Sequence, residues 1–579
     1  MIFAPEGEMM RRVAAILTAL AVALGLAAWP LAADAQTRRG GTLTVLTSGD
    51  VDTVDAGATY DLFGASVANA TQRPLMTYRP EDDRTPVPDL ATSPPEVAPD
   101  AMSVTVRLRP GVRFSPPVNR EVTSRDVKYA IERGFFRTVA TPYAGTYFGD
   151  LVGARAGAEP GTVIPGLETP DERTLVLRLT RPRGGLVAAA LVMGLTAPVP
   201  PEYAAPFDRA TRSTYGRHQV ASGPYMIRND AQGNAIGYRP GRRIELVRNP
   251  NWVAATDIRP AFLDRILISE RNLDISRASR RILAGRALVS GNFGAAPDVV
   301  RRQRARRRSQ FSAVSGGGVN FITLNTRLAP FDDVDVRRAV VAGSNRAAGR
   351  RLSFGAIGGS IATHFLPPGM PGFQEAGGLR GPGLDFLAHA AGSRRVAARY
   401  LRRAGFRSGR YTGRHTIVAV TTTDPAARPG DRRLRRDLRR LGFRVRFRRL
   451  PPDRAYALCT TTPLRVHICS GGFARDFADP ETILGPLFNG ASISAMGNTN
   501  VAQLNDPAVN TAMTAAQALI DPQARAQAWG AIDRQVTALA PAIPTLWPTA
   551  TAIRSRDVIG APSHIFPGVW DLSFSGLRG

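Results

Sequence analysis

The chain has 579 residues, 44% of them apolar, and a formal net charge of +28. That length is too great for one hydrophobic core and fits two to four domains, while the ordinary apolar share, with no low-complexity tract, excludes wholesale disorder. The charge comes from arginine, because Lys128 is the only lysine; no phosphate loop ending in Gly-Lys-Ser/Thr can exist, so ATP hydrolysis by that route is excluded.

Arg11-Arg12 precede the apolar run Val13–Trp29, and Ala33-Asp34-Ala35 then supplies small residues where a signal peptidase cuts. Residues 1–35 therefore read as a secretory signal peptide, with translation starting at Met9 or Met10 and Gln36 as the mature N-terminus; the alternative is a membrane anchor. No cysteine follows the apolar run, so lipid attachment there is chemically impossible. No later stretch approaches the ~20 apolar residues that span a bilayer. The expectation is a soluble, exported protein.

Gly41–Leu46 alternates apolar with small polar residues and predicts a strand. Pro- and Asp-rich connectors around Pro86–Asp100 lead into a second period-two strand, Ser103–Arg109. Thr123-Ser124-Arg125-Asp126 resembles a capping box opening a helix over Val127–Arg133. Thr174–Leu179, Ile244–Arg248 and Ile266–Ser269 are further strands. Ser315-Gly316-Gly317-Gly318 breaks the pattern, as a hinge or as a plain surface loop. From Val334 onward helical periods alternate with short apolar strands, Thr416–Val420 and Val445–Phe447, and Asp506-Pro507 and Asp521-Pro522 each read as a helix cap with a first-turn proline. Interspersed strands and helices predict a mixed α/β protein.

Two arginine runs stand out. Residues 301–308 have no interleaved aromatics on which bases would stack, which argues against nucleic acid as a partner and leaves a solvated face as the expectation. In 431–449, leucines 434, 438 and 441 mark one helix face, so the arginines are expected on the solvated opposite face.

Catalytic motifs are scarce. There is no Gly-x-Ser-x-Gly elbow and no His-Glu-x-x-His pair, and six histidines are scattered singly, so neither an enzyme nor a cofactor is expected. Cys459 and Cys469 are the only cysteines. In an exported chain they are expected to form a disulfide, closing a short loop for a gain of roughly 3 kcal/mol. A metal site built from them and His467 has too few ligands.

The stretch GGFARDFADP, 471–480, holds the candidate binding group. Asp479-Pro480-Glu481 reads as a helix cap. Asp476, flanked by Phe473 and Phe477, is expected to be partly desolvated and to want a cation. That cation is either the adjacent Arg475 or a group outside the protein; a purely structural carboxylate is the third reading.

Six stretches in order together resemble the extracytoplasmic solute-binding proteins of ABC importers, family 5, the oligopeptide and dipeptide type. They are PDLA at 88–91 with VTVRLRPGVRFS and TSRDVKYAIER; ASGPY at 221–225; LVRNPNW at 246–252 with AFLDRILI; FITLNTRLAPFDDVDVRRAV at 321–340; GGFARDFADP; and LAPAIPTLW at 539–547. The resemblance implies a two-lobe, type II periplasmic-binding-protein-like flytrap with an extra domain inserted in the first lobe. The first lobe would be 36–70, 216–310 and 535–579, the insert 71–215, and the second lobe 311–534, with the Gly-rich break near an interlobe crossing. It also implies that Asp476 binds the α-amino group of a peptide, with Phe473, Phe477, Arg475 and Gly472 around it. Phe473 and Phe477 stand where the family usually has tryptophan and tyrosine. Implied partners are a membrane permease and its separate ATPase, serving a monomer in the periplasm or at the outer face of the envelope. The alternatives are a non-peptide, possibly anionic solute (opine, sugar, glutathione or metal complex) and, outside this class, an exported hydrolase.

Overall fold

Strand Thr42–Leu46 buries Leu43 and Val45 completely, as its period-two pattern requires. In the computed structural model, which describes residues 37–139, 141–353, 355, 357–560 and 569–579, this strand lies between Arg265–Ser269 and Leu288–Ser290, both parallel to it. The expected signal peptide and Gln36 lie outside the described residues. Arg243–Arg248 continues the sheet antiparallel, with Tyr238–Arg239 and Tyr225–Ile227 beyond it. Helix Leu62–Thr71, capped by Asp61, closes the core with Phe63 and Val67 against Trp570 and Leu572. This is the first body.

A second body is wholly antiparallel in its main sheet: Glu96–Val97, Ser103–Arg107, Thr174–Arg178 and Leu167–Asp171. Its helix spans Ser124–Gly134, three residues earlier than expected at its start, because the Asp126 carboxylate accepts the Thr123 N–H at 2.7 Å and closes the capping box. Lys128 on that helix donates to the Leu167 carbonyl at 2.7 Å, tying helix to sheet. The first and antiparallel bodies are welded by charge. Arg73 Nε donates to Asp89 at 2.7 Å, Arg259 Nη2 donates to the other Asp89 oxygen at 2.6 Å, and Arg259 also holds Asp257 at 2.8 Å. All four side chains are excluded from solvent.

The third body is built on the twelve-residue strand Ala542–Ile553. Its first half pairs with Gly318–Thr323, which in turn pairs with the edge strand Ser470–Ala474. Its second half pairs with Phe311–Ser315, and Ile553 N–H donates to Ser290 Oγ of the first body at 3.0 Å. The Gly-rich break falls where the partner changes. Gly316 N–H donates to the Pro548 carbonyl at 2.8 Å, and Gly317 adopts φ +58°, which favours glycine. A parallel pair, Thr416–Thr422 and Arg444–Leu450, packs with helix Arg428–Arg440 in a further core of this body. Helices Pro507–Gln517 and Pro522–Leu539 start at their aspartate caps.

The basic 431–449 run departs from expectation in one place. Leu434, Leu438 and Leu441 are buried together, but Arg433 is buried with them rather than solvated. Its guanidinium donates to the Asn345 carbonyl at 2.9 Å, so a backbone acceptor compensates its burial.

Asp89→Ala would leave Arg73 and Arg259 buried with only Asp257 between them. We expect a loss of about 3–5 kcal/mol, read as a lower urea unfolding midpoint. An unchanged midpoint would mean that the weld carries no stability.

Candidate functional site

Edge strand Ser470–Ala474 delivers the segment 475–481 into the angle between the third and antiparallel bodies. The last ladder bond runs from Arg475 N–H to the Gly317 carbonyl at 3.0 Å. Beyond it the chain is held from both sides. On the antiparallel side, Arg475 forms an ion pair with Asp83, the Ala478 N–H donates to the Tyr78 hydroxyl at 3.1 Å, and Glu481 pairs with Arg183. On the other side, Arg525 of helix Pro522–Leu539 takes Asp479 through two nitrogens, at 2.7 and 3.0 Å, and Glu481 at 3.0 Å. Asp479 still accepts the Glu481 N–H at 2.9 Å, although Pro480 occupies the cap position and the helix spans Glu481–Phe488.

Asp476 sits inside this clamp without a cation. Arg475 is committed to Asp83, and among the described residues no basic side chain pairs with Asp476. Its partners are two phenols. Tyr147 donates to Oδ2, and Tyr143 supplies a second hydrogen bond. Burial pushes the carboxyl up to about 6, and the two phenol bonds only partly offset this. The same burial, with the carboxylate alongside, raises both tyrosine hydroxyls. Tyr143 and Tyr147 are four apart on the short helix Pro142–Tyr147, which Thr141 caps, so both hydroxyls lie on one side. Tyr143 stacks on Tyr60 of the first body, with centroids 5.3 Å apart.

Asp476 lines a cavity of about 870 Å³ to which all three bodies contribute. Of the residues singled out in the sequence, Gly472, Phe473 and Arg475 line it as well. Phe477 does not. It is 2% exposed, edge-on to Tyr147 at 4.8 Å, and buried in the core of the antiparallel body. The disulfide Cys459–Cys469 forms part of the wall. Strand Ser470–Ala474 exposes its unpaired edge, and Ser470, Gly471 and Gly472 lie along the cavity. Sequence reasoning missed Tyr60, Tyr143, Tyr147 and Tyr456. Tyr60 and Tyr456 are 62% and 69% exposed although they line the cavity, and the Tyr-x-x-x-Tyr spacing was the one signal available. No group of three or more metal-ligating side chains occurs among the described residues.

The site can therefore do two things. An open strand edge offers backbone hydrogen bonds to an extended chain, and a carboxylate at its end, lacking a cation, offers charge-assisted bonds to an ammonium group.

Residues 85–495 match the pattern of bacterial extracellular solute-binding proteins, family 5 Middle. Heme-binding protein A of Haemophilus influenzae is 23% identical over 461 residues, 78% of this chain and 77% of that protein. Among solved structures, clavulanic acid biosynthesis oligopeptide binding protein 2 superposes with a TM-score of 0.81 at 29% identity, over 94% of this chain and 96% of that one. Haemophilus influenzae OppA in complex with the peptide RPPGFSPFR superposes at 0.67 and 17% identity, over 94% and 100%. The three bodies are thus arranged as in type II periplasmic binding proteins.

Because the Asp476 carboxyl binds its proton more tightly in the fold than in the unfolded chain, its ionisation destabilises the fold. The penalty is absent below pH about 4, grows as pH rises through about 6, and is complete above that. Asp476→Asn should therefore raise stability at pH 7.5 by roughly 2–3 kcal/mol and by little at pH 4. Thermal melts across this range check the sign; equal effects at both pH values would contradict it.

Proposed function

The chain belongs to the bacterial extracellular solute-binding proteins of family 5, and from that premise we propose that it captures short peptides through a free α-amino group held by Asp476. The observation that carries this reading is a largely buried carboxylate bonded, among the described residues, only by phenols, at the end of an open strand edge, in a cavity large enough for several residues. An incoming ammonium supplies the charge that Arg475, Arg183 and Arg525 give elsewhere. The strand edge takes backbone without reading side chains, which suits a sequence-tolerant binder.

Entry of a ligand requires segment 475–481 to part from the antiparallel body and then return. Closure is favoured only by contacts that the ligand makes in the closed state. In this reading residues 1–35 direct export, the mature protein works outside the cytoplasmic membrane as a monomer, and it delivers its ligand to a permease driven by a separate ATPase, without catalysing a reaction.

A second reading is a flat, aromatic solute. The exposed rings of Tyr60 and Tyr456 at the cavity wall favour it, as does the name of the heme-binding relative.

Calorimetry with a tripeptide and its N-acetylated form tests the first reading. Asp476→Asn should weaken the free-amine peptide more than ~20-fold, and the unmutated protein should bind the acetylated form poorly. Equal binding of the two forms would remove Asp476 from the ligand, and a stoichiometric Soret shift with heme would establish the second reading instead.

A further inference from the structure

A second recess lies beside the lobe crossing. Arg301, Arg304 and Arg308 come from helix Pro297–Gln303 and the turn after it, in the chain that leads to strand Phe311–Ser315. Arg351 comes from helix Arg346–Leu352, which packs on Arg428–Arg440 in the third body. All four line one cavity of about 840 Å³, whose other walls are apolar, and among the described residues no carboxylate lines it. Among the described residues, none of the four guanidiniums has a hydrogen-bond or ion-pair partner. Their chain neighbours differ: Arg307 donates to the Leu283 carbonyl and Arg350 to the Gly359 carbonyl. Leu352 lines both this recess and the larger cavity that holds Asp476.

A solvated arginine face disperses its charge over a convex surface. Here the four side chains are exposed to solvent, but they come from two bodies to line one concavity, where their like charges add. Holding them there without a counter-charge opposes the approach of the two bodies. A guanidinium fork matches carboxylate and phosphate oxygens bidentately. We propose that Arg301, Arg304, Arg308 and Arg351 form a binding site for a compact oxyanion of two or more charges, a polycarboxylate or a phosphate. Occupancy neutralises both faces of the junction and favours closure. The site does not depend on what binds at Asp476, although two ligands that both favour closure raise each other's affinity.

The test is calorimetry on the full chain at low salt with citrate and, separately, inorganic phosphate, with small-angle scattering to follow compaction. One saturable site per chain is expected, with a smaller radius of gyration when it is filled. Arg308→Ala and Arg351→Ala should each weaken it roughly 10-fold or more, as for loss of one charge-assisted hydrogen bond. Arg277→Ala, in an arginine-lined groove confined to the first body, should leave it unchanged. A preference for citrate identifies a carboxylate ligand, and a preference for phosphate the other. No saturable uptake of either anion, or an equal loss in Arg277→Ala, would overturn the site in favour of diffuse surface charge. Thermal melts of the variants without anion separate loss of binding from loss of fold.

Discussion

The ladder bonds that Ala542–Ile553 makes to Gly318–Thr323 at one end and to Phe311–Ser315 at the other tie separate hydrophobic cores to a single strand. The pairing partner changes at Gly316 and Gly317, so the Gly-rich break marks the place where this strand passes from one core to the other. The next strand outward, Ser470–Ala474, takes its register from Gly318–Thr323, so the position of Asp476 relative to the first body follows from this one crossing. The aromatic wall opposite is fixed independently, by the buried Arg73–Asp89–Arg259 weld that joins the first and antiparallel bodies.

Three acids within six residues show how the surroundings decide what a carboxylate is for. Asp479 and Glu481 share Arg525, and Glu481 also has Arg183. Their burial is compensated within the chain, so they hold structure. Asp476 is given two neutral hydroxyls, which satisfy lone pairs but leave its charge uncompensated. Local stability has been given up at that one position, a pattern that accompanies function more often than architecture.

What the sequence made legible was whatever is short-range. Alternation at 42–46 and 103–107 marked strands, aspartate-proline pairs marked helix starts at 506 and 521, and leucine spacing marked the buried face of Arg428–Arg440. The motif around Asp476 was legible too, but not its neighbours. Arg475 looked like the natural partner by adjacency, yet its carboxylate, Asp83, lies 392 residues away. Phe477, the next residue along, turns into a core while Asp476 faces the cavity. Arg433 misled for a related reason: composition assigns a charged residue to water, but a backbone carbonyl on a neighbouring helix cap can stand in for it.

The near-total use of arginine has an outcome for anyone who wishes to watch this molecule work. The ammonium of Lys128, held against Leu167 in the antiparallel body, is the one side-chain amine in the chain. Acylating reagents therefore have a single side-chain target, distant in sequence from the crossing strands. A fluorophore coupled there, with its complement on a cysteine introduced in the third body, would report any change in the distance between the two bodies without touching either recess.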